Sequence, residues 1–141
     1  MEEPEVISPV ITKDIIYPSL LKRVQSTFID GILTFIFTGL LVVLASAIND
    51  DNVGLKIAAI IIGISYEPLM MAFSRSIGQR ITGMKVITAD SGEAISLFAA
   101  YIRYIIKAML GWLSFVTMHS NTQRRAIHDL AANSVVIMAN A

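Results

Sequence analysis

Residues Thr27 to Ile48 form an apolar run of 22 residues that contains one formal charge, Asp30. At 1.5 Å per residue, a helix of this length spans roughly 33 Å, enough to cross a bilayer core of about 30 Å. A single segment in hydrocarbon must satisfy its own backbone hydrogen bonds, which makes it helical. A carboxylate inside such a run costs about a few kcal/mol or more unless it is paired or faces a wet cavity. Asp30 is therefore expected to face the protein interior.

Composition agrees with a membrane protein. Hydrophobic residues make up 55% of the 141 and charged residues 16%, against about 25% charged in soluble domains. Mean hydropathy is +0.66. The length suggests one domain. A net charge of zero lacks the basic face that nucleic acid requires, so no nucleic-acid partner is expected. Without cysteine there is neither a disulfide framework nor a thiolate metal site. The N-terminal region is acidic and contains proline, unlike the basic start of a signal peptide, and the first apolar run is long for one; it is read as a retained span.

Residues 1–18 read as a flexible tail, and residues 19–141 as the membrane domain. Ser19, after Pro18, is placed to cap a helix that carries Lys22 and Arg23 into the first span, about residues 27–48. An acidic turn, Asn49 to Asn52, leads to a second span, about 55–73. Pro68 removes its own N–H and frees the Ile64 carbonyl, which predicts a kink near Glu67. Met84 to Thr88 reads as a short strand, Ala89 to Glu93 as a turn with Gly92 at positive φ, and Ser134 to Met138 as a second strand. Between them lies a third apolar segment, about 97–116, which contains Arg103 and Lys107.

Orientation follows the basic residues. Lys13, Lys22 and Arg23 precede span one, while Arg75, Arg80 and Lys85 follow span two, which puts the N-terminus and the second loop in the cytoplasm. Three full crossings would place Arg124 and Arg125 outside, against this rule. Segment three is therefore open to two readings: a crossing, or a dip that breaks at Gly111 or after Val116 and returns. The second lets the two strands pair in the cytoplasm.

Each apolar segment carries one polar stripe. Arg23, Thr27, Asp30, Thr34 and Thr38 are spaced by four, three, four and four on span one. Gly63, Glu67, Met70 and Ser74 align on span two, and Arg103, Lys107, Gly111 and Ser114 on segment three. The acids Asp30 and Glu67 balance the bases Arg103 and Lys107, which predicts pairing between helices. On one reading these pairs only hold the bundle, and Arg23 snorkels to the interface with no partner. On the other, Asp30 or Glu67 carries a proton or cation, with Arg103 as counter-charge. Thr27, Thr34 and Thr38 are expected to bond back to their own helix.

Other patterns are weaker. His119, His128 and Asp129 make a poor metal set, and the expected role of His128 or Asp129 is to bond a local backbone turn. Gly63 to Ser65 lacks the second glycine of a nucleophile elbow. Gly78 to Gly83 lacks the lysine and serine of a phosphate loop. Tyr101, Tyr104 and Trp112 suit interfacial or packing positions. No enzymatic residue set and no cofactor site is evident.

The ordered motifs resemble the RDD family of small bacterial integral membrane proteins, named for one arginine and two aspartates. These correspond to Arg23, Asp30 and Asp129. The similarity extends to Tyr66-Glu67, to the run from Gly78 to Ile87, to Asp90-Ser91-Gly92 with Arg103, and to the stretch from Gln123 to Ala131. It covers roughly Leu20 to Met138. Gln79 stands where lysine is usual, and Asn133-Ser134 where Gly-Thr is common. The resemblance implies an inner-membrane protein, with cation/proton antiport associated with some members.

The expected architecture is thus an all-α membrane protein with two clear transmembrane helices, a third charged segment that spans or re-enters, and a small cytoplasmic β element. The leading expectation for function is participation in movement of a monovalent cation or proton within the lipid bilayer, as a homo-oligomer. Asp30 and Glu67 would be the exchangeable carboxylates and Arg103 the counter-charge; Arg23, Asp129 and Lys107 complete the network. The alternative is a non-transporting accessory or assembly subunit that docks a partner membrane protein.

Overall fold

A computed structural model describes residues 15–139; of the expected tail, residues 1–14 lie outside this range. Helix α1 (Leu20–Ile48) begins at the anticipated cap, where the Ser19 hydroxyl accepts the Lys22 N–H. Its 29 residues give a rod of roughly 44 Å. The burial pattern is inverted relative to a soluble helix. Arg23, Ser26, Asp30 and Thr34 are buried, while Phe28 and Phe35 are 68% and 81% exposed. Such a helix suits lipid outside and polar groups inside.

The chain turns at Asn49–Asn52 and returns as α2 (Val53–Ile64) and α3 (Tyr66–Phe73). Gly63 lets α1 and α2 touch, since a Cβ there would lie 2.7 Å from Thr38 Cα. The break falls at Ser65, whose hydroxyl donates to the Ile61 carbonyl at 2.7 Å. Pro68 thus occupies the first turn of α3 rather than the interior of a long helix. No intrahelical N–H is required there, which is why proline is tolerated.

A short helix α4 (Ile77–Thr82), capped by Ser76 and closed by Gly83 at φ 71°, leads into strand β1 (Met84–Thr88). This strand pairs antiparallel with β2 (Ser134–Met138), in the register Met84 with Met138 through Thr88 with Ser134. Both strands match the expected boundaries, and Gly92 in the connecting turn has φ 70°. Asn133, just before β2, has φ 46°. Asparagine is among the few side chains that adopt this conformation readily, so it serves where glycine is common. A core of Met71, Met84, Val86, Ile95, Ala100 and Val136 joins the sheet to α3 and α5.

Helix α5 (Leu97–Leu110) ends at Gly111, φ 53°, and continues as a 3₁₀ segment, Gly111–His119. Three stretches, Leu20–Ile48, Val53–Phe73 and Leu97–His119, are long and apolar enough to cross a membrane. The third, however, begins and ends at the same end of the molecule. Ala94, just before it, pairs with Ile87 of β1. Beyond its other end, the Arg125 carbonyl accepts the Thr117 hydroxyl at 2.9 Å, and Arg125 Nε donates to Ser134 O of β2 at 2.9 Å. The chain turns back at Gly111, and α5 alone, with 14 residues, rises only roughly 21 Å. A last short helix, α6 (Ile127–Ala131), precedes β2.

Candidate functional site

The polar centre lies where α1, α4, α5 and α6 meet. Asp129, on α6, is fully buried and accepts from both Arg23 Nη2 and Arg103 Nη1. It also accepts the Ala126 backbone N–H at 2.9 Å, so the aspartate caps its own helix. This fulfils the expectation of a backbone bond near His128-Asp129. Arg23 further donates to the Arg124 carbonyl at 2.7 Å and lies 5.8 Å from the Phe115 ring centroid. Arg103 also donates to Ser134 Oγ at 3.0 Å. Burial alone would raise the Asp129 pKa; Arg103 first, then Arg23, overcome it and hold the carboxyl at about 2.

Asp30 is held differently. The Ser76 hydroxyl donates to its Oδ2 at 2.6 Å, and the Gly78 N–H donates to its Oδ1 at 2.8 Å. The glycine is sterically required, because a Cβ at position 78 would lie 2.3 Å from Ser26 O and 2.6 Å from Asp30 Oδ2. The run from Gly78 to Gly83, no phosphate loop by sequence, thus binds an internal carboxylate with its first N–H.

One turn further along α5, Lys107 pairs with Glu67 of α3. The bases therefore divide otherwise than the balanced stripes suggested. Lys107 takes Glu67, whereas Arg103 is not the counter-charge of either Asp30 or Glu67 and binds Asp129. The reason is position: Arg103 lies one turn nearer the sheet, level with α6. Arg23 likewise does not snorkel free, being 4% exposed and ion-paired. The six residues comprise three acids and three bases, so the cluster is neutral overall. A small cavity of about 20 Å³ lies among Arg23, Asp30, Glu67, Arg103 and Lys107, about the room of one water molecule. Gln79 also lines it, with Oε1 buried and without a partner.

Two features were not legible beforehand. His128 Nδ1 lies 3.0 Å from Ser114 Oγ, and Nε2 lies 3.5 Å from Asp129 Oδ1. These are the residue types of a nucleophilic triad, but their chemistry is unsuited to one. Burial, reinforced by Arg103, lowers the His128 pKa to about 2, so the ring is a poor proton acceptor. Ser114 is wholly buried and donates to the Gly111 carbonyl at 2.8 Å. The group is a cross-link between the 3₁₀ segment and α6. Among the described residues no cluster of three His, Asp or Glu side chains can hold a metal ion. Secondly, Thr34 and Thr38 have buried hydroxyls with no partner, where bonds to their own helix were expected.

The model of the RDD family matches residues 17–133. The chain belongs to the RDD family. No curated protein and no solved structure shows a significant match. In this RDD protein the arginine and the second aspartate of the resemblance, Arg23 and Asp129, form one ion pair across 106 positions. The first aspartate, Asp30, lies two turns along the same helix as Arg23 and anchors α4.

Proposed function

We propose that this RDD protein is a multi-pass inner-membrane protein that takes part in cation or proton movement through its buried carboxylates. The observation that carries the reading is the setting of Asp30, the one acid of the six-residue cluster without a basic partner. Its donors, Ser76 and Gly78, are neutral, so a proton can be gained or lost there without breaking an ion pair. Glu67, paired with Lys107, is the second exchangeable carboxylate.

The sheet end is the cytoplasmic end in this reading. Arg23, Arg80, Lys85, Arg124 and Arg125 gather there, while Asp50 and Asp51 lie at the opposite turn, where Lys56 pairs with Asp50 at 2.7 Å. A re-entrant third segment brings Arg124 and Arg125 back to the basic side, in keeping with the positive-inside rule. The pathway requires more than one copy, because the cavity beside Asp30 holds about 20 Å³ and is no channel by itself.

A second reading, an accessory or assembly subunit that docks a partner membrane protein, is favoured by the complete pairing of Arg23, Arg103, Lys107, Glu67 and Asp129. Proteoliposomes separate the two. Purified protein should support cation-driven proton flux that Asp30→Asn abolishes. Absence of flux, with growth in high sodium or lithium unchanged by Asp30→Asn, overturns the transport reading in favour of the subunit.

A further inference from the structure

Outside the paired network, the bases at the sheet end of the molecule are not alike. Lys22, Arg80 and Arg124 are exposed, where water solvates a charge cheaply. Arg125 is engaged by Ser134 O. Arg75 and Lys85 are half-buried, and both line one pocket of about 370 Å³, together with Phe73, Ser74, Ala94 and Ala139. Among the described residues neither side chain has an acidic partner. Two like charges partly withdrawn from water in one pocket repel each other, and an anion between them removes that cost.

Arg80 holds the loop that presents Arg75: its Nε donates to Arg75 O at 3.2 Å and its Nη2 to Ser74 Oγ at 3.3 Å. This loop follows directly on the second span, which ends at Phe73, and Phe73 is 81% exposed. The pocket thus lies at the boundary of hydrocarbon and water, the level of the lipid phosphates, with an aromatic ring on its apolar side. A guanidinium beside an ammonium is a phosphate-binding set. We propose that Arg75 and Lys85 bind the headgroup of one anionic phospholipid, with its phosphate oxygens on the two cations and its acyl chains passing Phe73 into the bilayer. A zwitterionic headgroup brings a cation of its own and is disfavoured. This goes beyond the ion-movement reading and does not depend on it.

Native mass spectrometry of the full chain in a neutral maltoside detergent counts the lipid bound from dioleoylphosphatidylglycerol and from dioleoylphosphatidylcholine, which share their acyl chains. One phosphatidylglycerol per chain should bind about 30-fold more tightly than phosphatidylcholine, the effect expected of two bases against an anionic headgroup. Arg75→Gln with Lys85→Gln should erase that preference while thermal unfolding shows the variant folded. Lys22→Gln with Arg124→Gln removes the same charge from exposed positions and should keep it. Equal binding of the two lipids overturns the proposal, as does a preference that survives the first pair of substitutions. A preference lost equally in both variants would mark a diffuse surface field and overturns it too. Displacement of the lipid by millimolar inorganic phosphate would assign the pocket to a soluble phosphate. A preference that appears only after Glu2→Gln, Glu3→Gln and Glu5→Gln would assign it to the acidic start of the chain. Either result also overturns the proposal.

Discussion

Asp30 Oδ1 accepts the Gly78 N–H at 2.8 Å across 48 positions of sequence, at a point where no side chain fits on residue 78. This contact fastens the loop after the second span to the N-terminal part of the first. The carboxylate lies at the start of α4, where exposed N–H groups favour negative charge.

Gly78→Ala should therefore destabilise the protein by about 1–3 kcal/mol, the usual cost of overpacking, because the nearest neighbour is backbone and cannot rotate away. Thermal unfolding in detergent reads this directly. A midpoint equal to that of the wild type would falsify the close approach.

Asp129 is the shared ion-pair partner of two buried guanidinium groups, so Asp129→Asn should cost more than loss of either arginine alone. Removing one partner of a buried pair typically costs about 3–5 kcal/mol. Combining Asp129→Leu with Arg23→Met and Arg103→Met should recover much of the loss, since no buried guanidinium is then left without its carboxylate. If the triple variant is no more stable than Asp129→Leu alone, the network is not organised around Asp129.

Lys107 and Glu67 should couple in a double-mutant cycle. Lys107→Met and Glu67→Gln each leave a polar group short of its partner, and the double variant should be less destabilised than the sum by about 0.5–3 kcal/mol. Additive losses would mean that the two side chains act independently.

Acid should weaken the fold through His128. Its folded pKa, about 2, lies below the ordinary histidine value of 6.5 because burial, then Arg103, disfavours the cation. The unfolded chain thus binds the proton first. Stability is full above pH 6.5 and falls as pH drops below it, by about 2 kcal/mol at pH 5. Asp129 adds a further loss only below pH 3.8, as pH falls toward its folded value of about 2. His128→Gln should flatten the change between pH 7.5 and 5; an equally steep change in that variant would assign it to another group.

Single cysteines in the cysteine-free chain test the turn at Gly111. Ser91→Cys and Asn121→Cys flank segment three and should react with a membrane-impermeant maleimide from the same side, and Asp51→Cys from the other. Labelling of positions 91 and 121 from opposite sides would require a straight crossing.

Much of this architecture is local, and for that reason legible along the chain. The long apolar run with helical spacing of polar residues dictates α1 and its inward stripe, because a backbone in lipid has no other way to bond itself. Ser19, Gly92 and the alternation in the two strands carry their own turn and strand chemistry. Membership of the RDD family was readable from ordered motifs for the same reason.

Which charge meets which was decided by the tertiary structure alone. Stripe spacing places Arg103 and Lys107 on one face of α5 but not at a particular height against its neighbours. Only the packing of α6 beneath the sheet brings Asp129 to Arg103 and Arg23, leaving Glu67 to Lys107. Asp30 then depends on neutral donors from α4, a contact that exists because Gly78 permits two backbones to touch. The return of segment three at Gly111 and the unpaired threonine hydroxyls likewise follow from how the helices lie together. Periodicity determines which face turns inward, whereas the height and approach of each helix set the partner, and the free energy of a buried charge depends on that partner.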